Sequence, residues 1–341
     1  MEREIDSAPA FAATTLFLGG GTPNTYEPAR IAALVARLRE RFAPAGFAET
    51  TIELNPDAEL CTPEAFAAYA AAGIDRLSFG VQSLVPSELR TLGRRHSPED
   101  VATAFRRARA AGLENLSLDL IFGTPGQTAD SWRAGLDAAL ALEPAHVSTY
   151  GLTIEEGTPF ARWFERDPGD FVSNDLEAEL YGIGIDALSA AGFEHYEISN
   201  FARPGRRSRH NAVYWDEGEY LGFGVGAASY RGGVRWVHTR DLRGYLAALA
   251  AGAEIPSEAE ELTGAAKLGE AAMLALRTAE GVDIAAFAER YGVDVREFYR
   301  PVLEEMYAAG TLDVTPTHVR LTRRGRFVAN DVCGAFVTFA P

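Results

Sequence analysis

Apolar residues recur along this chain in two alternating rhythms. Short runs rich in apolar and β-branched residues lie at 14–18, 50–54, 76–81, 116–122 and 146–152. Each is followed by a polar or glycine-rich turn, and most turns lead into a stretch whose apolar residues repeat at the helical period. In the first such stretch Ile31, Leu34, Val35, Leu38 and Phe42 share one face. Further helices are expected at 63–72, near 86–93, at 98–111, and from the turn Gly123-Thr124-Pro125-Gly126 to about 142, with another strand at 193–198. This alternation predicts a parallel sheet with crossover helices. The runs read as strands buried on both faces. Such a series fits an open doubly wound sheet or a barrel. Gly20, Thr22, Glu53, Asn55, Gln82, Asp119 and Thr153 fall at or just past the C-terminal ends of the runs. That favours a barrel, where functional groups line one mouth, over a doubly wound sheet, which gathers them at one switch point.

Past residue 200 the texture changes twice. Glycines crowd 218–233 and predict a tight, loop-rich segment. Helices are then expected at about 260–278, 283–291 and 294–309, followed by short runs at 311–314 and 319–321 around Pro316-Thr317. Three helices and a hairpin predict a small winged-helix-like domain. The expected division is therefore 1–200, 201–255 and 256–341.

Composition narrows the function classes. The chain has 341 residues and a formal net charge of -16, which argues against general nucleic-acid binding, since that needs a basic face. Lys267 is the single lysine, and the cationic surface is otherwise arginine. No apolar run reaches the roughly 18 residues of a membrane-spanning helix. The charged start, Met1-Glu2-Arg3-Glu4-Ile5-Asp6, does not suit an export signal. Cys61 and Cys333 are the only cysteines; they make no disulfide framework, and a cytoplasmic location is expected.

Several groups can carry chemistry. Gly19-Gly20-Gly21-Thr22-Pro23 closes the first run. It is either a tight turn or a stretch of backbone opened to a ligand with an amino and a carboxyl group. It is not a phosphate loop, because no Walker spacing is present. Glu53 and Asp119 can accept from an ammonium or from ribose hydroxyls, or cap the next helix. Arg94 can pair a carboxylate bidentately or lie on the surface beside Arg95. In His210-Asn211-Ala212-Val213-Tyr214-Trp215 the histidine can serve as an axial ligand beside a flat aromatic wall, or belong to a packed aromatic corner. The remaining histidines show no metal-site spacing.

The segments LFLGGGTPN (17–24 and flank), TIELNPD (51–57), RLSFGVQS (76–83), LGRRH (92–96), LSLDLIFGTPGQT (116–128), STYGLTIEEGTP (148–159), YEISNFARPG (196–205), HNAVYW (210–215) and LGFGVGAASY (221–230), with LRTAEGVD and VRLTRRG further on, resemble the HemW heme chaperones and the oxygen-independent coproporphyrinogen III oxidases of the radical S-adenosylmethionine (SAM) superfamily. HNAVYW is closer to the HemW branch. The resemblance covers essentially the whole chain. It implies an α/β partial barrel of about six βα units with a C-terminal helical, winged-helix-like domain. It implies that Gly20, Gly21, Thr22, Glu53, Gln82, Arg94, Asp119 and Thr153 hold SAM, and that His210 contacts heme.

The family also carries a first strand and a C-x-x-x-C-x-x-C loop whose thiolates bind a [4Fe–4S] cluster. That loop has no counterpart in this sequence, so the resemblance places residues 1–6 at the tail of the family's first helix and residue 14 at its second strand. It implies a shortened form of a longer protein, with the cluster confined to the full-length form. The functions implied are a heme chaperone that passes heme to an acceptor protein; a radical decarboxylase of coproporphyrinogen III; or, for a shortened chain, a ligand-binding or scaffold role.

Overall fold

The computed structural model describes residues 1–339. The chain divides into two compact units: one holds Thr15–Ala36 and Phe47–Arg207, the other Met1–Thr14, Arg37–Gly46 and the chain from Ser208 onward. In chain order the first elements are α1 (Glu2–Ser7), β1 (Thr15–Leu18), α2 (Pro28–Phe42), β2 (Glu49–Leu54), α3 (Pro63–Ala72), β3 (Arg76–Gln82), α4 (Pro86–Thr91), α5 (Pro98–Ala110), β4 (Asn115–Phe122), α6 (Ala129–Leu140), β5 (His146–Gly151), α7 (Pro159–Arg166), α8 (Asn174–Ala190), β6 (Glu194–Glu197) and β7 (Asn200–Ala202).

The strands of the first unit form one sheet in the order β1-β2-β3-β4-β5-β7-β6. β1 to β5 run parallel, joined by helical crossovers as parallel neighbours need, so their C-terminal ends share one edge. β7 runs antiparallel to β5, and β6 antiparallel to β7. The expected strand at 193–198 is thus one arm of a hairpin with the tight turn Ile198-Ser199, rather than a sixth parallel unit.

Local signals fix the helix ends. Thr62 caps α3 by accepting from the Ala65 N–H, Pro63 opens it, and Gly73 in the left-handed conformation closes it. Ser97 with Asp100, and Thr128 with Ser131, form reciprocal capping boxes at α5 and α6.

One face of the sheet is apolar. Ile52, Leu54, Leu77, Phe79, Val81, Leu116, Leu118, Leu120 and Val147 pack against Val35, Phe66, Phe105, Leu136, Leu180 and Leu188 from the covering helices. The Trp132 indole N–H donates to the Leu180 carbonyl at 2.8 Å, tying α6 to α8. α8 does not stand out in the sequence because Gly182 and Gly184 dilute its apolar stripe. Gly184 packs on the Trp132 ring, where an added Cβ would lie at 3.6 Å, an ordinary van der Waals distance.

The opposite face corrects an expectation. The strands are buried on both sides, but the second side is polar: Thr51, Arg76, Ser78, Ser117, His146 and Ser148 are all buried. Alternation along each strand puts these residues on one surface.

The second unit contains α1 and, further on, α9 (Arg209–Trp215), β8 (Ala228–Arg231), β9 (Val234–His238), α10 (Leu242–Ala251), β10 (Ser257–Glu261), α11 (Gly264–Leu276), β11 (Val282–Asp283), α12 (Ile284–Tyr291), α13 (Val295–Phe298), α14 (Arg300–Ala308), β12 (Leu312–Val314), β13 (His318–Leu321), α15 (Arg323–Phe327) and α16 (Ala329–Val337). The glycine-rich stretch is more ordered than its composition suggests, because β8, β9 and β10 form an antiparallel sheet. Pairing of β10 with β9 delays the helix expected from 260 until Gly264. The helix expected at 294–309 breaks at Tyr299, where α13 ends and α14 starts with Pro301 in its first turn. The expected hairpin is β12–β13, and β11 adds a third strand. Within this unit Glu4 of α1 is buried, accepting from the Gly224 N–H and the Tyr245 hydroxyl.

Candidate functional site

The shared edge of β1 to β5 gathers most of the residues singled out in the sequence. After β1, Gly20 and Gly21 take φ values of +76° and +133°, which side-chain-bearing residues seldom adopt. The Gly20 N–H donates to Glu53 Oε2 at 3.3 Å. A Cβ on the preceding Gly19 would come within 2.8 Å of that same oxygen, so the triplet lets β2's carboxylate meet β1's turn. The turn is tight and it is also open: a Cβ on Gly20 or Gly21 would meet nothing within 4 Å.

Thr22 Oγ1 accepts from Asn55 Nδ2 at 3.3 Å, and Asn24 locks onto the Asn55 backbone through its carbonyl and N–H at 2.9 and 3.2 Å. Cys61 belongs to this bracket, donating to the Asn55 carbonyl at 3.2 Å, and burial pushes its thiol up to about 12. Cys333 is likewise buried, its thiol pushed up to about 11. Both are structural thiols.

Gln82 ends β3 at φ +66°, where the β3–β4 register shifts between Phe79 and Gln82. A bulge at a strand end re-aims a side chain, and a left-handed non-glycine residue is costly enough to point to function. Gly80 makes room for it, since a Cβ there would sit 3.1 Å from Gln82 Nε2.

Asp119 lies deeper than expected, in the body of β4 and not at its end. It accepts from Ser78 Oγ at 3.1 and 3.3 Å and is also bonded by Ser148. Neither Glu53 nor Asp119 caps a helix; Thr62 and Thr128 do that. Burial, then the neighbouring charge of Asp119, raises the Glu53 carboxyl above its ordinary value. Burial raises Asp119 as well. Arg76, only 2% exposed at the start of β3, opposes both shifts. Its Nε has no hydrogen-bond partner.

Arg94 lies in the connection between α4 and α5, not on a strand. Burial draws its guanidinium down from the ordinary value, and among the described residues no ion pair or hydrogen bond engages its side chain. A partly buried, unpaired guanidinium suits a ligand carboxylate. Thr153 is exposed just past β5. His210 belongs to the second unit, on α9. It is partly exposed and sits at the end of an aromatic cluster, its Nε2 2.8 Å from the Tyr214 hydroxyl and the Tyr214 ring packed edge-on against Tyr220.

The sequence reading missed the layer that holds this edge. Arg76, Ser78 and Ser148 share its inner face; Tyr150 lies on the same face and is 43% exposed, and desolvation of the phenol and then Asp119 push it up to about 12. His146 is fully buried between Ser117 Oγ at 2.8 Å and the Tyr196 hydroxyl at 2.7 Å, and burial draws it well below its ordinary value, so it stays neutral. Buried Glu88 accepts from Ser83, Gln127 and Ser131 at 2.6, 3.0 and 2.7 Å, binding the loops after β3 and β4 together. The polar alternation in Arg76-Leu77-Ser78 and Ser117-Leu118-Asp119 was the available signal.

The donor set fits SAM, with an open backbone, two carboxylates and an unpaired arginine. It does not fit an iron–sulfur cluster. The two thiols are buried and belong to different units, and no metal-binding group of His, Cys, Asp or Glu occurs among the described residues.

Comparison with known proteins shows the family. Residues 1–139 match the model of the radical SAM superfamily, and residues 262–328 that of the HemN C-terminal domain. A heme chaperone HemW of Bacillus subtilis is 36% identical over 95% of this chain and 85% of its own length. A heme chaperone HemW of Mycobacterium tuberculosis is 40% identical over 97% of this chain and 83% of its own. The coproporphyrinogen III oxidase HemN of Escherichia coli superposes with a TM-score of 0.83 at 24% identity, over 99% of this chain and 82% of that one. That last likeness concerns the fold.

Proposed function

The chain belongs to the HemW heme chaperone family of radical SAM proteins, and from that premise we propose that it binds heme through His210 and passes it to an acceptor protein. What carries the proposal is the likeness to named heme chaperones along nearly the whole chain. His210 supplies a residue for it: a partly exposed imidazole, on a helix that also bears Tyr214 and Trp215. A neutral imidazole is a common ligand of heme iron.

In the same reading Gly20, Gly21, Thr22, Glu53, Gln82, Arg94, Asp119 and Thr153 hold SAM, which supplies a sulfonium and, in radical enzymes, a source of an adenosyl radical. The chain's own part is recognition. Gly20 and Gly21 expose backbone to the ligand, Arg94 faces its carboxylate, and Glu53 and Asp119 accept from its ammonium or hydroxyls. No step through an iron–sulfur cluster is assigned to these residues. The decarboxylase reading has the fold of HemN behind it and no residue that distinguishes it.

Heme titration followed by absorbance tests the proposal. The intact chain should give a saturable Soret band, and His210→Ala should shift that band and weaken binding about tenfold or more, with unchanged circular dichroism. An identical spectrum and affinity in the variant would remove His210 from the site.

A further inference from the structure

His210 and Tyr214 stand four residues apart on α9 and so share one face of the helix. The Tyr214 hydroxyl lies 2.8 Å from His210 Nε2, and the two rings meet edge-on at 5.2 Å and 85°. We propose that Tyr214 is a latch on His210, occupying the imidazole nitrogen that heme iron would take and setting how tightly heme binds. The proposal rests on the heme reading above and adds a specificity-determining residue to that site.

The argument is one of competition for an atom. If the phenol donates, the Nε2 lone pair is used; if Nε2–H donates to the phenol, there is no lone pair at that atom. Either tautomer keeps iron off Nε2 until the hydrogen bond is broken. Tyr214 is 37% exposed, so its ring borders solvent. Its ring is held on the other side by an edge-on contact with Tyr220, at 4.8 Å and 79°.

A cavity of about 110 Å³ adjoins it, lined by Tyr214, Tyr220, Tyr230, Arg235, Glu217 and Glu270. That is too small for a porphyrin, since sites for drug-sized ligands run to about 300–1,000 Å³. It offers polar groups toward which a displaced phenol hydroxyl can turn. Glu217, on the cavity wall, is held by Lys267, Tyr291 and Arg290 and keeps a φ of +51°, so this wall is built rather than collapsed.

The test is hemin titration of the full chain as wild type, Tyr214→Phe, His210→Ala and the double variant, read at the Soret band. Phenylalanine keeps the ring against Tyr220 and removes only the hydroxyl. Loss of one hydrogen bond should tighten hemin binding about three- to tenfold in Tyr214→Phe, with the Soret maximum unmoved, and His210→Ala should abolish that gain in the double variant. Unchanged affinity in Tyr214→Phe overturns the latch while leaving His210 as ligand. Weaker binding with a shifted band overturns it too, making the phenol itself a ligand. If His210→Ala alone changes nothing, His210 is not the heme ligand, and the latch fails with it.

Discussion

Glu53 and Asp119 face one another across a surface that burial has made unfavourable for charge, and Arg76 relieves only part of that cost. Both carboxyls hold protons more tightly in the folded chain than in the unfolded one. In the pH range between the ordinary carboxyl values and the raised ones, the folded state therefore binds more protons, so stability is fullest below that range and declines as pH rises through it. Glu53→Gln and Asp119→Asn should remove that decline. Urea midpoints measured at pH 4 and pH 7 should converge in the variants, relative to wild type, and parallel pH dependence in all three proteins would contradict the cause assigned. On the proposed reading of this edge as a SAM site, Glu53→Ala should lower SAM affinity about tenfold, as loss of a charged hydrogen bond of roughly 1.5 kcal/mol implies. The polar residues at strand ends were legible in the sequence because they interrupt apolar runs. Asp119 lies further from the strand end than its sequence position suggests, because the sequence shows a turn at Gly123 but not which pleat of β4 joins the buried polar face. Arg76 went unnoticed because an arginine at a strand start reads as a surface residue until the sheet closes over it.

At the scale of elements, the parallel strands and their first helices were legible to within a few residues, since short apolar, β-branched runs alternate with stretches at the helical period. Capping chemistry added the stops: Pro63, Gly73 and the Ser97–Asp100 box stand at the observed ends. What escaped has physical reasons. α8 carries two glycines in its apolar stripe; β7 is short and finds its place by pairing between β5 and β6. β10, with Glu258, Glu260 and Glu261 exposed, has no apolar face to reveal it and exists by pairing with β9. The apolar face of the sheet is the main source of the first unit's stability. Phe79, fully buried and in ring contact with Phe66 and Phe105, is its centre. Phe79→Ala should cost about 3–5 kcal/mol, read as a lowered urea midpoint. A cost below about 1 kcal/mol would mean that the helices do not bear on β3 as described.

For the whole molecule, the sequence motifs gave the family, and the near-full-length relatives agree with it. The fold class followed from the strand–helix alternation, whereas the division into two units did not. Segment 37–46 groups with the chain beyond 208, and a grouping of distant segments leaves no local mark. Among the described residues no helix is long and apolar enough to cross a membrane. A net charge of -16 leaves recognition of heme to local chemistry rather than to a general field. A chaperone, unlike an enzyme that keeps its cofactor, must both take up heme and give it away. The direct test is to load the intact chain with one equivalent of hemin, mix it with excess apomyoglobin, and follow the Soret band. The account predicts a saturable complex that hands over its hemin completely. Failure to form a saturable complex, or hemin retained against the excess acceptor, would contradict it.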